Sequence, residues 1–493
     1  MQPQFYFPGR EAEQPGGRMH RHQRQANRGI AVILVTLLLI VIIPLIGLAI
    51  DGGTIYFLKG QLQQAVDGAA LSGARSLSSG LTLNEQISSA TNASTQYFKA
   101  NYGANYWGSS VTNLNTNIYD DPNSAQVHLV DVTATASAPL YFLRLLGKTT
   151  AVIGASAEAK RRDVNVMMVL DRSSSMGSSI KPMVQGATLF ANSFAPGRDT
   201  VGAVIFGGNY YIYPPTKDFQ PSLVTALNKV TSSGNTGTAQ ALWQAYSALA
   251  GLNQPGALNV ILFFTDGLPN GITVDLSKQP SGLDNRRSPT TCGTGASMIG
   301  WISQTSGFVN DPGTTHGIYS ATVANPSNPS DPNDGANSEL IANRVGCNFA
   351  GNPSNMYKDF FSMPSADIYG NQLNPPDYYK SPTYPQATGV VSLTGINRAT
   401  QVAAASFNAA DQVAKRWRKG EINGIVPLVY AISLLTTPSE PPDPVFMKRI
   451  ANTTDSTLYD SSKPTGRYID TTANNQLQNA FLQIASEILR LNK

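Results

Sequence analysis

Val164-Asn165-Val166-Met167-Met168-Val169-Leu170 is a near-continuous apolar run, and Asp171-Arg172-Ser173-Ser174-Ser175-Met176 ends it in a carboxylate and two alternating hydroxyls. Such a run suits a strand covered on both faces, as in a parallel sheet. Polar residues at its carboxyl end fall on the edge where open α/β sheets hold ligands. Asp171, Ser173 and Ser175 offer only oxygen donors, which suits a hard divalent cation. Residues 179–194 read as the helix that returns the chain. Two later stretches are built to complete the same site. Gly234-Asn235-Thr236-Gly237-Thr238 is a turn-rich loop opening an apolar-periodic segment at 239–252. Val260-Ile261-Leu262-Phe263-Phe264 is a second buried-strand signal and ends in Thr265-Asp266-Gly267. In one parallel sheet all three loops leave at the same end. The expected site therefore holds Asp171, Ser173, Ser175, Thr236 and Asp266, with Thr238 competing for the place of Thr236.

The order D-x-S-x-S, threonine loop, strand ending in T-D-G resembles the metal-ion-dependent adhesion site of a von Willebrand factor A domain. The resemblance implies that Ser173, Ser175 and Thr236 are hydroxyl ligands of Mg²⁺, or of another divalent cation such as Mn²⁺ or Ca²⁺. Asp171 and Asp266 would act directly or through water, and a vacant coordination position would accept an Asp or Glu from a partner protein. The loop reads Gly-Asn-Thr where many relatives have Gly-Gly-Thr.

Outward from this core, the amino-terminal end is the most informative. Residues 29–50 are almost wholly apolar, interrupted by Thr36, Pro44 and two glycines. At 1.5 Å rise per residue they are long enough to cross a hydrocarbon core. The chain carries a net charge of +4, and within residues 1–28 Arg10, Arg18, Arg21, Arg24 and Arg28 against Glu11 and Glu13 leave +3 of it. The positive-inside bias places residues 1–28 in the cytoplasm and the bulk of the chain outside, on a single-pass anchor. A cleaved signal peptide is the alternative, but no A-x-A site follows closely. Prepilin-type cleavage after Gly29 is disfavoured, because Leu34 stands where such substrates carry glutamate. The near-neutral remainder has no basic footprint for nucleic acid.

Leu58, Leu62, Ala65, Ala69 and Gly73 recur at helical spacing. Their small residues suit either close helix–helix approach or packing onto the protein's own domain. Arg28-Gly29 before the apolar run, Asp51 after it, and Leu62-Gln63-Gln64-Ala65-Val66-Asp67-Gly68-Ala69-Ala70-Leu71-Ser72-Gly73-Ala74 resemble the amino-terminal signature of TadE/TadG-like proteins. The resemblance implies a place in tight-adherence (Flp-type) pilus assembly, with other assembly proteins as partners.

The expected architecture is α/β. It comprises a tail (1–28), a transmembrane helix (29–50), a juxtamembrane helix (51–79), a small α+β spacer (80–160), and a doubly wound, Rossmann-like von Willebrand factor A domain (161–493). In the spacer, 125–134 and 151–159 read as strands and 139–146 as a short helix. In the last domain, 201–206 and 424–434 read as strands, with another near Tyr468. Segments 221–230 and 400–420 read as helices, and Leu477, Phe481, Ile484 and Ile488 mark a terminal one. A long insertion at 271–399, rich in Gly, Pro, Asn and Ser, interrupts this domain without sustained periodicity and leaves from the Asp266 loop. Cys292 and Cys347 lie inside it. In an exported segment they read as one disulfide, contributing about 4 kcal/mol by loop entropy, with two free thiols as the alternative.

Enzymes are the competing class. A Mg²⁺-dependent phosphohydrolase with Asp171 as nucleophile would carry a second acid where this chain has Ser173. A serine hydrolase needs a base, and only His316 of the four histidines falls within residues 161–493. A surface adhesin using the same metal chemistry is the remaining alternative. The expectation is a non-enzymatic interaction protein.

Overall fold

The computed structural model describes residues 26–80, 82–208, 210–275, 299–304, 315–320, 365–384, 399–438 and 440–491. Residues 1–25, both cysteines of the expected Cys292–Cys347 disulfide and most of the 271–399 insertion lie outside the described residues.

The element at the centre is β4 (Val164–Asp171). It pairs in parallel with β5 (Thr200–Phe206) on one side and β7 (Leu258–Thr265) on the other. The six-stranded sheet runs β12-β11-β7-β4-β5-β6. All neighbours are parallel except the edge strand β6 (Tyr210–Thr216), which is antiparallel to β5. Chain order thus reverses between β4 and β7: β5 follows on one side of β4, while β7, β11 (Leu428–Leu434) and β12 (Arg467–Thr471) extend the other. This reversal is the point where open sheets gape at their carboxyl ends.

Period-two alternation divides β4 between two cores. Met167 and Val169 face a cluster with Leu242, Tyr246 and Leu249 of α5 (Thr238–Gly251) and Phe407, Val413 and Trp417 of α6 (Ala399–Arg418). Val166, Met168 and Leu170 face Met183, Ala187 and Phe190 of α3 (Ile180–Ala191), in a cluster with Leu223 and Leu227 of α4 (Gln220–Leu227) and Phe481, Ile484 and Ile488 of α8 (Asn474–Leu491). Burial on both faces is why the strand reads as a continuous apolar run. The helices pack closely: a Cβ on Gly186 of α3 would fall 2.5 Å from the Phe481 ring.

Five elements in this part of the chain carry no clear sequence signal. β6 contains Pro214 and Pro215, which suit an edge strand. A short helix, α7 (Pro444–Ala451), starts at Asp443, whose carboxylate accepts from Val445 N and Phe446 N at 3.0 and 3.1 Å. The insertion is also less irregular than expected. β8 (Gly271–Asp275), β9 (Ile299–Gln304) and β10 (Thr315–Ser320) form an antiparallel sheet in the order β10-β9-β8. Residues 365–384 bury Leu373, Tyr379 and Tyr384 in the α5–α6 core.

The anchor and juxtamembrane helices are one helix, α1 (Ala26–Ser76). After α2 (Leu83–Asn101), β1 (Ser110–Asp121), β2 (Ser124–Pro139) and β3 (Thr150–Arg162) form a sheet in that order. The chain separates into two compact units. One holds 1–63, 102–113 and 134–155; the other holds 64–101, 114–133 and 156–493. Within the second unit the small residues of α1 serve packing on the protein's own domain. A Cβ on Gly73 would fall 2.3 Å from Ser94 Oγ of α2, and Ser94 Oγ donates to Ala69 O at 3.0 Å.

Candidate metal centre

The carboxyl ends of β4 and β7 place Asp171 and Asp266 side by side at the reversal point. Asp171 is fully buried. Its Oδ1 accepts from Ser173 N at 2.8 Å, and its Oδ2 accepts the Thr265 hydroxyl at 2.6 Å. The first bond closes a turn that lifts Ser173 and Ser175 onto the same side of the loop. Their Oγ atoms lie 3.0 Å apart, and both donate to Asp266 Oδ1, at 3.3 and 3.0 Å. Asp266 Oδ2 accepts from Thr436 Oγ1 at 2.6 Å.

Backbone bonds hold the three loops together. Arg172 N donates to Phe206 O at 2.8 Å, Ser233 N to Arg172 O at 2.7 Å, and Ser174 N to Gly234 O at 2.9 Å. Gly207 permits this approach, because a Cβ there would fall 2.6 Å from Ser233 O. The Ser232 hydroxyl adds a bond to Ser173 O at 2.8 Å. Thr236 is buried and fixed on both sides of its peptide: its N donates to Asn270 Oδ1 at 2.6 Å, and its O accepts from Asn270 N at 3.1 Å. A Cβ built on Gly267 would lie 3.8 Å from Ser175 Oγ and 4.0 Å from Thr236 Oγ1, so both hydroxyls border the space above that glycine. The competing Thr238 is the first residue of α5, and its buried hydroxyl has no partner among the described residues.

Ser175 is exposed while Asp171, Ser173, Thr236 and Asp266 are buried, so the group opens to solvent at Ser175. Burial, and then repulsion from Asp266, pushes the Asp171 carboxyl up to about 7. Burial likewise raises Asp266, against hydrogen bonds from Thr436, Ser175 and Ser173 that lower it. Thr265, Asn270 and Thr436 were not anticipated as site residues. Thr265 and Thr436 carry the signal used for the others, a polar residue just beyond a buried strand.

The fold and this loop order define a class. Residues 166–268 match the von Willebrand factor type A domain, and residues 29–76 match the Flp pilus-assembly TadE/G-like family. The chain thus carries a TadE/G-like amino-terminal region of the pilus-assembly type and a von Willebrand factor A domain, a fold that often binds divalent cations. No curated protein matches the chain. Similar solved structures include the PilB minor pilin from Streptococcus sanguinis (13% identity over 78% of this chain and 79% of that one, TM-score 0.35). Others are the vWF domain of the type V pili tip protein Mfa5 from Porphyromonas gingivalis (16%, 68% and 98%, 0.35) and the pilus adhesin SpaC from Lactobacillus rhamnosus GG (14%, 76% and 36%, 0.34). The chain spans 36% of the SpaC chain.

Proposed function

We propose that this protein is a membrane-anchored component of a Tad/Flp-type pilus assembly or secretion system, and that its α/β domain captures a carboxylate of a partner protein through a bound Mg²⁺. The observation that carries the reading is the meeting of the Ser173 and Ser175 hydroxyls on Asp266 Oδ1, all at 3.0–3.3 Å. The donor set fits a hard cation in kind, being all oxygen. It fits in charge as well, since the Asp266 charge pushes the buried Asp171 carboxyl up and a cation between the two would relieve that repulsion.

Ser173, Ser175 and Thr236 would hold the ion, with Asp171 and Asp266 balancing its charge directly or through water. When bound, the cation supplies a Lewis-acidic position for an outside Asp or Glu. The chain's own residues do the rest. Thr265 and Thr436 orient the two carboxylates, and the buried walls keep water from screening the attraction. Exposed Ser175 leaves the side from which a partner arrives.

The arginines before residue 29 support an orientation with the amino terminus in the cytoplasm and the α/β domain outside. A hydrolase has less support. His128 is bonded to Asp120 and Asp163 at 2.6 and 2.8 Å, beside the amino end of β4, about 25 Å of strand away from Asp171.

Calorimetric titration of the detergent-solubilised full chain with Mg²⁺ tests the metal step. A saturable isotherm that disappears in Asp266→Ala, with unchanged circular dichroism, is expected. Capture of an envelope protein that is equal in Mg²⁺ and EDTA, for parent and Ser173→Ala alike, would reject the partner step.

A further inference from the structure

Within the first unit, a loop grips the apolar helix where the proposed span ends. Asp51 is buried, and its carboxylate accepts from three successive backbone amides: Tyr141 N at 2.8 Å, Phe142 N at 3.0 Å and Leu143 N at 2.7 Å. One turn earlier, a Cβ on Gly47 would fall 2.6 Å from the Phe142 ring, so only glycine lets that ring lie against the helix. Four residues of α-helix put Gly47 about 6 Å before Asp51 along the axis. That is inside the apolar stretch, whose large side chains from Val32 to Ile50 are exposed. The loop joining β2 to β3 therefore lies beside the last turn of the span.

The loop's tip is apolar and uncovered. Leu145 is 84% exposed and Leu146 78%, and exposed Arg144 and Lys148 flank them, with Tyr141 at 55%. Adjacent bare leucines beside basic residues and an aromatic ring have the composition of a segment seated at the membrane interface. The long basic side chains can reach phosphate while their stems stay in apolar surroundings. Three amides on Asp51 answer the need for donors where a carboxylate borders hydrocarbon.

We infer that residues 141–148 are a second membrane contact, a loop seated at the headgroup–acyl boundary of the bilayer that α1 crosses. Leu145 and Leu146 enter lipid, Arg144 and Lys148 meet anionic headgroup phosphates, and Asp51 holds the loop at that depth. The inference rests on the reading of 29–50 as a membrane span.

The test places a benzophenone amino acid at position 38, 146 or 458 of the full chain in phosphatidylethanolamine–phosphatidylglycerol vesicles, followed by irradiation and intact mass. Leu458, which is exposed in the second unit, is the control. Lipid adducts at 38 and 146 but not at 458 are expected, and Asp51→Ala should lose those at 146 while keeping those at 38. Adducts at 38 without adducts at 146 overturn the loop contact and leave the span intact. Crosslinking of 146 to a second copy of the chain also overturns it, as does an Asp51→Ala variant with undiminished adducts at 146. Absence of adducts at 38 overturns the span and the inference together.

Discussion

Thr436 donates its hydroxyl to Asp266 Oδ2 at 2.6 Å across 170 residues of sequence, and so ties the end of β11 to the end of β7. With Ser173 and Ser175 on Oδ1, the three hydroxyls set the rotation of the carboxylate. Thr436→Val keeps the side-chain shape and removes the donor. Loss of such an orienting partner typically lowers metal affinity about 10-fold or more. Titration calorimetry with Mg²⁺ reads this directly, and unchanged affinity would assign the rotation to the serines alone.

Metal removal has a thermal signature. A ligand that binds only the folded state at about 100 times its Kd stabilises by about 2.7 kcal/mol, or about 4 °C for a domain of this size. Scanning calorimetry should show that rise on replacing EDTA by Mg²⁺. Asp266→Asn removes the repulsion on Asp171 and one of the site's two carboxylate charges. It should melt no lower than the parent in EDTA and show no rise with Mg²⁺.

Arg161 is buried at the junction of β3 and β4. It donates to both Asp199 oxygens at 2.8 Å, to Asp163 Oδ1 at 3.2 Å and to Ser78 Oγ at 3.2 Å. Arg161→Met leaves two buried carboxylates short of a cation, a loss that costs about 3–5 kcal/mol. Urea denaturation should register it as a lower midpoint. Loss of less than about 1 kcal/mol would mean that Lys217, 3.6 Å from Asp163, takes over the charge.

Asp367 supplies a pH dependence remote from the metal loops. Burial pushes its carboxyl up to about 6, against hydrogen bonds from Asn371 and Tyr369 and the charge of Arg416. The folded state holds this proton more tightly than the unfolded chain. Its contribution is thus complete below about pH 4 and lost as the pH rises through about 6, at most about 3 kcal/mol. Denaturation midpoints of the parent should fall over that window relative to Asp367→Asn. Parallel curves would show that the group titrates normally.

Much of the fold is legible in the amino-acid order. Val164–Asp171 and the later run at 260–264 announce themselves because a strand covered on both faces has no polar positions to interrupt it. The terminal helix shows its stripe at Leu477, Phe481, Ile484 and Ile488. β1 escaped notice for the opposite reason: Ser110–Asp121 buries no residue fully, so no apolar alternation marks it. β9 and β10 are hidden because each carries a glycine, Gly300 and Gly317, inside a stretch rich in Pro and Asn, and such strands form only once they find partners.

What the linear chain dictates is therefore periodic and local: which segments must be covered, on how many faces, and which oxygen-bearing residues follow them. Asp171, Ser173, Ser175, Thr236 and Asp266 are nameable on that basis alone. Pairing β4 with β7 at the reversal of strand order is a tertiary event. It brings Thr265 onto Asp171, and the pairing of β7 with β11 brings Thr436 onto Asp266. The same holds for Asp51, whose three amide donors lie 90–92 residues away. Hydrogen bonds over such separations leave no periodic trace, because their geometry exists only after the intervening elements have packed.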